Sequence, residues 1–148
     1  MALLATKAFG EIEVNPAALI QFPEGLFGFH EHREFALLDE QKDDSPFAWL
    51  QSTADSSLAF IIIEPDLIIK DGYVPDVSKG DLEALGVSAV ADCKIFLIVT
   101  IPADHPEEMT ANLQGPVLIH RDGKVGRQVI SNNNSHLVRV SIMEMLEG

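Results

Sequence analysis

The stretch IFLIVTI, residues 95–101, is a continuous run of apolar and β-branched side chains without a polar face. A second run of the same kind, LAFIII, occupies residues 58–63. Runs of this length without polar alternation are typical of strands that are covered on both faces. We therefore predict that these two segments form the central strands of a sheet.

Shorter strands are predicted on either side of these two runs. Asn15-Pro16 and Pro23 end the first two, and the turn dipeptide Asp122-Gly123 predicts a hairpin near the C-terminal end. Strict alternation of apolar and polar residues indicates half-buried strands at the two ends of the chain. The further strands are predicted over residues 8–14, 19–22, 35–38, 47–52, 117–119, 127–131 and 138–142.

Helical signals are brief. Ser78 is a candidate N-cap before Leu82 and Leu85, with Gly86 as a stop signal, and residues 106–109 form a candidate helical turn. Eight or nine short strands without a βαβ rhythm indicate a mainly β protein. We predict one domain over residues 1–148, an antiparallel β-barrel-like or sandwich fold with one or two short helices.

The overall composition favours a globular protein of the cytosol. Apolar residues make up 47% of the 148 residues, yet no apolar run approaches the roughly 18 residues of a membrane helix. Residues 1–6 are apolar, but the only nearby cation, Lys7, follows them, which argues against a secretory signal. Cys93 is the single cysteine, which fits a reducing compartment. We therefore expect a cytoplasmic protein.

Charge narrows the range of partners. The chain carries 10 Lys and Arg against 23 Asp and Glu, a formal net charge of -13. Such a field repels nucleic-acid phosphates and anionic lipids and attracts basic partners. We expect no direct contact with nucleic acid or membrane. The alternative, that the acidity only keeps the protein soluble, stays open at this point.

The sequence carries no clear catalytic constellation. It lacks a phosphate-binding loop, a dinucleotide glycine fingerprint, a nucleophile elbow and the histidine pair of zinc proteases. The alternative function is a small metal-dependent, cupin-like β-barrel enzyme that uses His30, His32 and His120. Glu34 follows His32 too closely for the cupin pattern. We expect His30 and His32 to be exposed loop residues, and we assign no catalytic, cofactor or metal residue.

Adjacent carboxylates are interpreted as surface charge. Glu107-Glu108 and Asp43-Asp44 could in principle perform acid–base chemistry. Neighbouring exposed acids more often lie at helix starts or loop tips. They therefore give no support to an enzymatic function.

The two unique aromatic residues are given different roles. Trp49 is predicted to be a core aromatic, whereas Tyr73 lies in a Gly- and Pro-punctuated acidic segment. We predict that Tyr73 is presented among carboxylates to a basic protein surface. The alternative is a solvated crossover between two buried strands. The surrounding charges are Glu64, Asp66, Asp71, Asp76 and Asp81, opposed by Lys70 and Lys79.

Two further segments are candidates for partner contacts. Asn112, Gln114 and Pro116 form a second predicted patch, although Asn112 could instead bond to the backbone of a fixed Gly-Pro turn. In FPEGLFGF, residues 22–29, Leu26 or Phe27 could grip an amphipathic helix, or both could cover an open barrel end.

Several separated motifs occur in an order that resembles one family. They are FGEIEV (9–14), FPEGLFGF (22–29), PFAWLQS (46–52), LAFIIIEP (58–65), VTIP (99–102), ANLQGPVLIH (111–120) and GRQVI (126–130). From Phe9 nearly to Leu137 the chain resembles the flagellar assembly factor FliW family. It departs from the family at Phe27, where proline is common, and at His120, where asparagine is common.

The resemblance implies a non-enzymatic, cytoplasmic factor without a cofactor. Such a factor binds unpolymerised flagellin and, once flagellin is exported, binds CsrA, the RNA-binding repressor of flagellin translation. The implied antagonism of CsrA acts beside the RNA site and not within it. We expect a monomer when free. The predicted partner-binding residues are Glu64, Asp66, Asp71, Tyr73, Asp76, Asn112, Gln114 and Pro116.

Overall fold

Antiparallel strands make up most of the structure. The computed structural model describes residues 2–39 and 46–147. Two short α-helices are present, α1 (Lys79–Ala84) and α2 (Ile142–Glu147). These elements confirm the predicted mainly β class. The strands are β1 (Ala2–Thr6), β2 (Gly10–Val14), β3 (Ile20–Gln21), β4 (Glu34–Asp39), β5 (Phe47–Ser52), β6 (Ala59–Ile63), β7 (Cys93–Thr100), β8 (Thr110–Ala111), β9 (Val117–His120), β10 (Gly126–Gln128) and β11 (Val140–Ser141).

The main sheet has β6 and β7 at its centre, as the two apolar runs predict. Its strand order is β10-β9-β7-β6-β5-β4-β3, and each neighbouring pair is antiparallel. The first half of β7 pairs with β9 and its last residues pair with β8, which in turn pairs with β11. An isolated bridge between Gln21 and Val125 links β3 to the β9–β10 hairpin. The two ends of the sheet therefore meet, as in a barrel.

Both faces of the central strands are covered. Ile62 and Phe96 belong to one buried cluster, whereas their sequence neighbours Ile63 and Leu97 belong to another. Successive side chains of a strand point to opposite faces, so the two clusters lie on opposite sides of the sheet. The first cluster comprises Ile20, Phe22, Leu26, Phe35, Leu50, Ile62, Phe96, Val117 and Ile119; the second comprises Ile63, Ile68, Tyr73, Leu97, Val99, Ala111, Leu113 and Ile142.

The N-terminal hairpin is a separate two-stranded sheet. The sequence predicts β2 but not β1, which pairs with it from Ala2↔Val14 to Thr6↔Gly10. The ring of Phe9 packs edge-on against Trp49 of β5, with 5.2 Å between ring centroids. The prediction of Trp49 as a core residue is wrong in part, because this half-buried ring lies under the hairpin and outside the central clusters.

The end of the chain differs from the prediction. Only Val140 and Ser141 of the strand predicted over residues 138–142 are extended, and α2 begins at Ile142. The hydroxyl of Ser141 accepts a hydrogen bond from the backbone N–H of Glu144, at 3.2 Å, which favours a helix start here. The predicted strand over residues 127–131 also ends early, at Gln128.

The two predicted helical segments agree with the sequence patterns, whereas β8 was not predicted from them. Ser78 caps α1 by accepting a hydrogen bond from the backbone of Asp81, and residues 106–108 form a single turn of 3-10 helix. Glu107 and Glu108 are exposed on that turn. Asp43 and Asp44 lie outside the described residues. Among the residues that the structure describes, no helix is long and apolar enough to cross a membrane.

We expect Gly126→Ala to destabilise the protein by about 1–3 kcal/mol, because overpacking strains a filled core. A β-carbon at Gly126 would lie 2.5 Å from the ring of the fully buried Phe22. Urea unfolding monitored by circular dichroism measures this loss.

Gly80→Ala is the matched control. A β-carbon there meets nothing within 4 Å, and the residue lies inside α1. Alanine, which has the higher helix propensity, should therefore not destabilise the protein. Equal stability of Gly126→Ala and the wild type would contradict the tight packing of Phe22.

Candidate partner-binding site

Tyr73 is a core residue and not a surface contact. Its side chain is 6% exposed, and its hydroxyl donates a hydrogen bond to the carbonyl oxygen of Leu113. Burial raises the pKa of the Tyr73 hydroxyl far above its usual range. The prediction of an aromatic presented among carboxylates is therefore wrong: the ring fills the second buried cluster, and its polar tip is satisfied by the backbone.

The segment around Tyr73, residues 64–76, crosses the outer face of the central strands. It begins where β6 ends, with Pro65 starting a single 3-10 turn. Ile68, Tyr73 and Pro75 are buried, and Gly72 has a φ of +84° that reverses the chain before Tyr73. Only glycine adopts this conformation without strain. We call residues 64–76 the Tyr73 segment.

The outward side of the Tyr73 segment combines negative charge with apolar surface. Glu64, Asp66, Asp71 and Asp76 are all exposed, and Lys70 is the one exposed cation of the segment. None of these carboxylates has an ion pair within residues 2–39 and 46–147. The apolar positions are Leu67 and Val74, whose exposed fractions are 53% and 77%. Leu67 and Val74, and not Tyr73, are thus the exposed apolar side chains of this segment.

Asp81 does not belong to this exposed set. Its carboxylate accepts a hydrogen bond from Nε of Arg127 at 2.9 Å, and a second one from the hydroxyl of Ser78 at 3.0 Å. The charge of Asp81 is therefore neutralised at the start of α1.

The second predicted patch, residues 112–116, is mainly a structural turn, which we call the Asn112 turn. Oδ1 of Asn112 accepts hydrogen bonds from the backbone of Gln114 at 3.0 Å and of Gly115 at 2.9 Å. Pro116 is buried, so its predicted contact role is wrong, because its ring is covered by the fold. Gln114 is exposed and stays available to a partner.

The structure brings the two predicted patches together through Ser131. The backbone N–H of Ser131 donates to the carbonyl of Gln114 at 2.7 Å, and its hydroxyl accepts a bond from the backbone of Asp76 at 3.1 Å. The carbonyl of Asp76 accepts a further bond from Asn132 at 2.8 Å. The Tyr73 segment and the Asn112 turn therefore form one surface. We define the candidate face as Glu64, Asp66, Leu67, Asp71, Val74, Asp76 and Gln114.

His136 supports this surface and was missed by the sequence analysis. Its Nδ1 lies 2.6 Å from the hydroxyl of Ser131, and its ring lies 4.6 Å from that of Tyr73. Burial lowers the pKa of His136, which favours the neutral ring, whose Nδ1 can accept a hydrogen bond from the serine hydroxyl. The polar run at residues 132–135 indicated a turn, but no pattern in the sequence linked it to Tyr73.

The histidines of the alternative metal site are engaged elsewhere. Nδ1 of His30 lies 2.9 Å from the carbonyl of Glu24, and Nδ1 of His32 lies 3.0 Å from the hydroxyl of Ser52. Nδ1 of His120 lies 3.3 Å from Oδ1 of Asp122. Within the described residues, no group of three His, Cys, Asp or Glu side chains could hold a metal ion.

The prediction that His30 and His32 are exposed loop residues is confirmed only for His30. His30 is exposed, but His32 is half-buried because it bonds to Ser52. Cys93 is buried, and burial raises the pKa of its thiol, which disfavours the reactive thiolate form.

The loop FPEGLFGF separates its two apolar candidates. Leu26 is buried in the first cluster, whereas Phe27 is exposed to 45%. The backbone N–H of Phe27 donates to Oε1 of Gln128 at 2.9 Å, which fixes the loop on β10. Leu26 therefore covers the core, and Phe27 is exposed to solvent.

Comparison with known proteins identifies the family. A family model described as "FliW protein" matches residues 3–142. The chain belongs to the FliW family. A flagellar assembly factor FliW of Leptospira biflexa serovar Patoc is 48% identical over 143 residues, covering 96% of this chain and 92% of that protein. One from Bdellovibrio bacteriovorus is 39% identical over 145 residues, covering 98% and 81%.

A solved structure of a FliW protein has the same fold. The "Crystal structure of the flagellar assembly factor FliW" superposes with a TM-score of 0.84 at 33% identity, covering 95% of this chain and 96% of that one. These matches confirm the resemblance seen in the motifs and the expectation of a non-enzymatic protein. The chain is a FliW-family flagellar assembly factor.

We expect Tyr73→Phe to lower the free energy of unfolding by about 1–2 kcal/mol, because the carbonyl of Leu113 loses its buried donor. Urea unfolding measures the loss. If Tyr73 is only structural, the folded variant binds partners as tightly as the wild type does. A large loss of partner affinity in a protein of unchanged stability would return Tyr73 to the contact surface.

Proposed function

We propose that this protein binds flagellin and, when flagellin is exported, binds and antagonises the translational repressor CsrA. Partner switching of this kind would link flagellin synthesis to flagellin export in the cytoplasm. The proposal takes its two partners from the FliW resemblance and its contact surface from the structure. No cofactor is required for it.

The observation that carries the proposal is the fixed, acidic and partly apolar character of the candidate face. Four exposed carboxylates lie on either side of the exposed Leu67 and Val74 along this segment. The apolar side chains supply contact area, and the carboxylates select a basic partner. An RNA-binding protein carries the basic surface that such a face would attract.

Pre-organisation strengthens this interpretation. Tyr73 and Ser131 fix the segment to the body of the protein by hydrogen bonds. A surface that is ordered before binding does not lose that conformational entropy on association. The candidate face is therefore suited to a rigid protein partner.

Electrostatics offers a mechanism for antagonism without occupation of the RNA site. Bound beside that site, a protein of net charge -13 would repel incoming phosphates over about one Debye length, roughly 10 Å at 0.1 M salt. This effect weakens as the salt concentration rises. It predicts an inhibition that reaches a plateau as this protein is added, because the RNA affinity falls by a fixed factor and the RNA site is not occupied.

The proposal is tested by calorimetry of the purified chain against flagellin and against CsrA separately, at low and high salt. We expect binding to both at micromolar concentrations or below, with the CsrA affinity falling as salt increases. We also expect saturating flagellin to abolish the CsrA signal. Absence of binding to both partners would refute the proposed function.

We expect the double variant Asp71→Asn, Asp76→Asn to bind CsrA more weakly and with a smaller salt dependence, because two charges of the candidate face are removed. Neither carboxylate makes a side-chain hydrogen bond or ion pair with a described residue, so folding should be retained. Calorimetry at two salt concentrations measures the change.

The matched control is Glu11→Gln, Glu31→Gln. Glu11 lies on β2, and Glu31 lies in the loop between β3 and β4. Both carboxylates are exposed and lie outside the candidate face, and their removal changes the net charge by the same amount as the Asp71 and Asp76 substitutions do. We expect the control to retain most of the CsrA affinity. Equal losses in both double variants would mean that net charge alone governs binding and that the face has no special role.

A further inference from the structure

The edge of β4 is only partly paired. On one side β4 pairs with β5 along Phe35↔Ser52 to Asp39↔Ala48. On the other side β3 covers only its first two residues, through Ile20↔Phe35 and Gln21↔Glu34. Among the described residues, nothing pairs with this side of β4 over residues 36–39. Unpaired strand edges are templates for the addition of another strand.

The orientation of the free backbone groups follows from the hydrogen bonds at the start of β4. The carbonyl of Glu34 accepts a hydrogen bond from the backbone N–H of Thr53, the residue that follows β5, at 3.2 Å, so it faces β5. The carbonyl of Arg33 accepts a hydrogen bond from the backbone N–H of Phe22, the residue that follows β3, at 2.8 Å, so it faces the opposite edge. Successive residues alternate between the two edges. The N–H and C=O of Leu37 therefore point away from β5, toward the open edge.

A groove lies along this edge, with a volume of about 390 Å³. It is bounded by four consecutive residues of β4, 36–39, and on the opposite side by residues 12–14 of β2. Alternate side chains of a strand point to opposite faces, so a cavity that contacts consecutive residues lies beside the strand and not over one face. The groove thus separates two strand edges.

The walls of the groove are anchored at both ends. Near the tip of the hairpin, Phe9 packs on Trp49, and the backbone N–H of Lys7 donates to Oε1 of Gln51 at 2.9 Å. At the other end the chain returns to the sheet, where Ile20 pairs with β4. The separation of β2 from β4 is therefore maintained by contacts on both sides of the gap.

The side chains that line the groove define the chemistry of its occupant. Phe9, Ile12, Leu19 and Leu37 supply apolar surface along the groove. Among the described residues that line it, the charged ones are Glu13 and Asp39, both negative and exposed, and none is Lys or Arg. A second copy of this acidic chain would bring like charges together at this edge, which disfavours it as occupant.

We propose that this groove binds an extended segment of a partner protein in which apolar residues alternate with Lys or Arg. The segment would add to β4 as a further strand, with main-chain bonds to Leu37 and with its basic side chains near Glu13 and Asp39. Apolar side chains of the segment would fill the space between β2 and β4. The inference does not depend on which protein carries the segment.

The probe is a capped synthetic hexapeptide, Val-Lys-Val-Arg-Ile-Lys, titrated into the full chain by calorimetry and by NMR of the labelled protein. We expect binding, with at least tenfold slower hydrogen exchange at the amide of Leu37 when the peptide is saturating. A peptide with Glu in place of Lys and Arg should not bind. Absence of binding by the basic peptide, or unchanged exchange at Leu37, overturns the proposal.

Two substitutions at one position separate backbone pairing from side-chain contact. Leu37→Pro removes the free N–H without breaking a bond to β5, since an edge strand tolerates proline on its open side. Leu37→Ala removes the same side chain but retains the N–H. We expect the proline variant to bind the basic peptide at least tenfold more weakly than the alanine variant. Equal affinities overturn strand addition.

A charge reversal provides a test that does not depend on the folding of the proline variant. Glu13→Lys should weaken peptide binding at least fivefold, whereas Glu83→Lys, an equal change at an exposed residue of α1, should not. Equal effects of the two reversals overturn the assignment to the groove. Light scattering completes the test, because a dimer that Leu37→Pro converts to a monomer would identify a second copy as occupant and overturn the proposal.

Discussion

The constraint on which the structure depends is that both faces of the central strands, β6 and β7, are apolar. The first cluster is enclosed as the sheet curves and its ends meet at Gln21 and Val125. The second cluster lies on the other face and needs a separate cover. That cover is supplied by the Tyr73 segment, the Asn112 turn and Ile142 of α2. The surface that this cover presents to solvent is the candidate face.

This arrangement explains why an acidic segment whose regular structure is limited to one 3-10 turn is nevertheless well fixed. Buried side chains of the segment, Ile68 and Tyr73, contribute hydrophobic stabilisation in proportion to the area removed from water. Exposed residues lie between and beside them, among them Lys70, Asp71 and Val74. One crossover therefore stabilises the sheet with its inner side and can contact partners with its outer side.

The sequence predicted the central strands, most neighbouring strands and α1, because their patterns are local and strong. The sequence patterns did not predict β1, because that strand forms only by pairing with β2. They also predicted a strand where α2 begins, because the cap at Ser141 was not recognised. They misjudged Tyr73 as well, since acidic neighbours in the sequence say nothing about which side of the chain faces the core. The joining of the two patches by Ser131 and His136 depends on contacts between distant segments, which no local pattern encodes.

The central claim is that the outer side of the Tyr73 segment, together with Gln114, contacts a protein partner. Hydrogen-exchange mass spectrometry of the chain, free and bound to CsrA and to flagellin in turn, tests it most directly. The account predicts that at least one of these partners slows exchange in peptides covering residues 64–76 and 112–116, with smaller changes over α1. Unchanged exchange in both peptides with each partner demonstrably bound would contradict it.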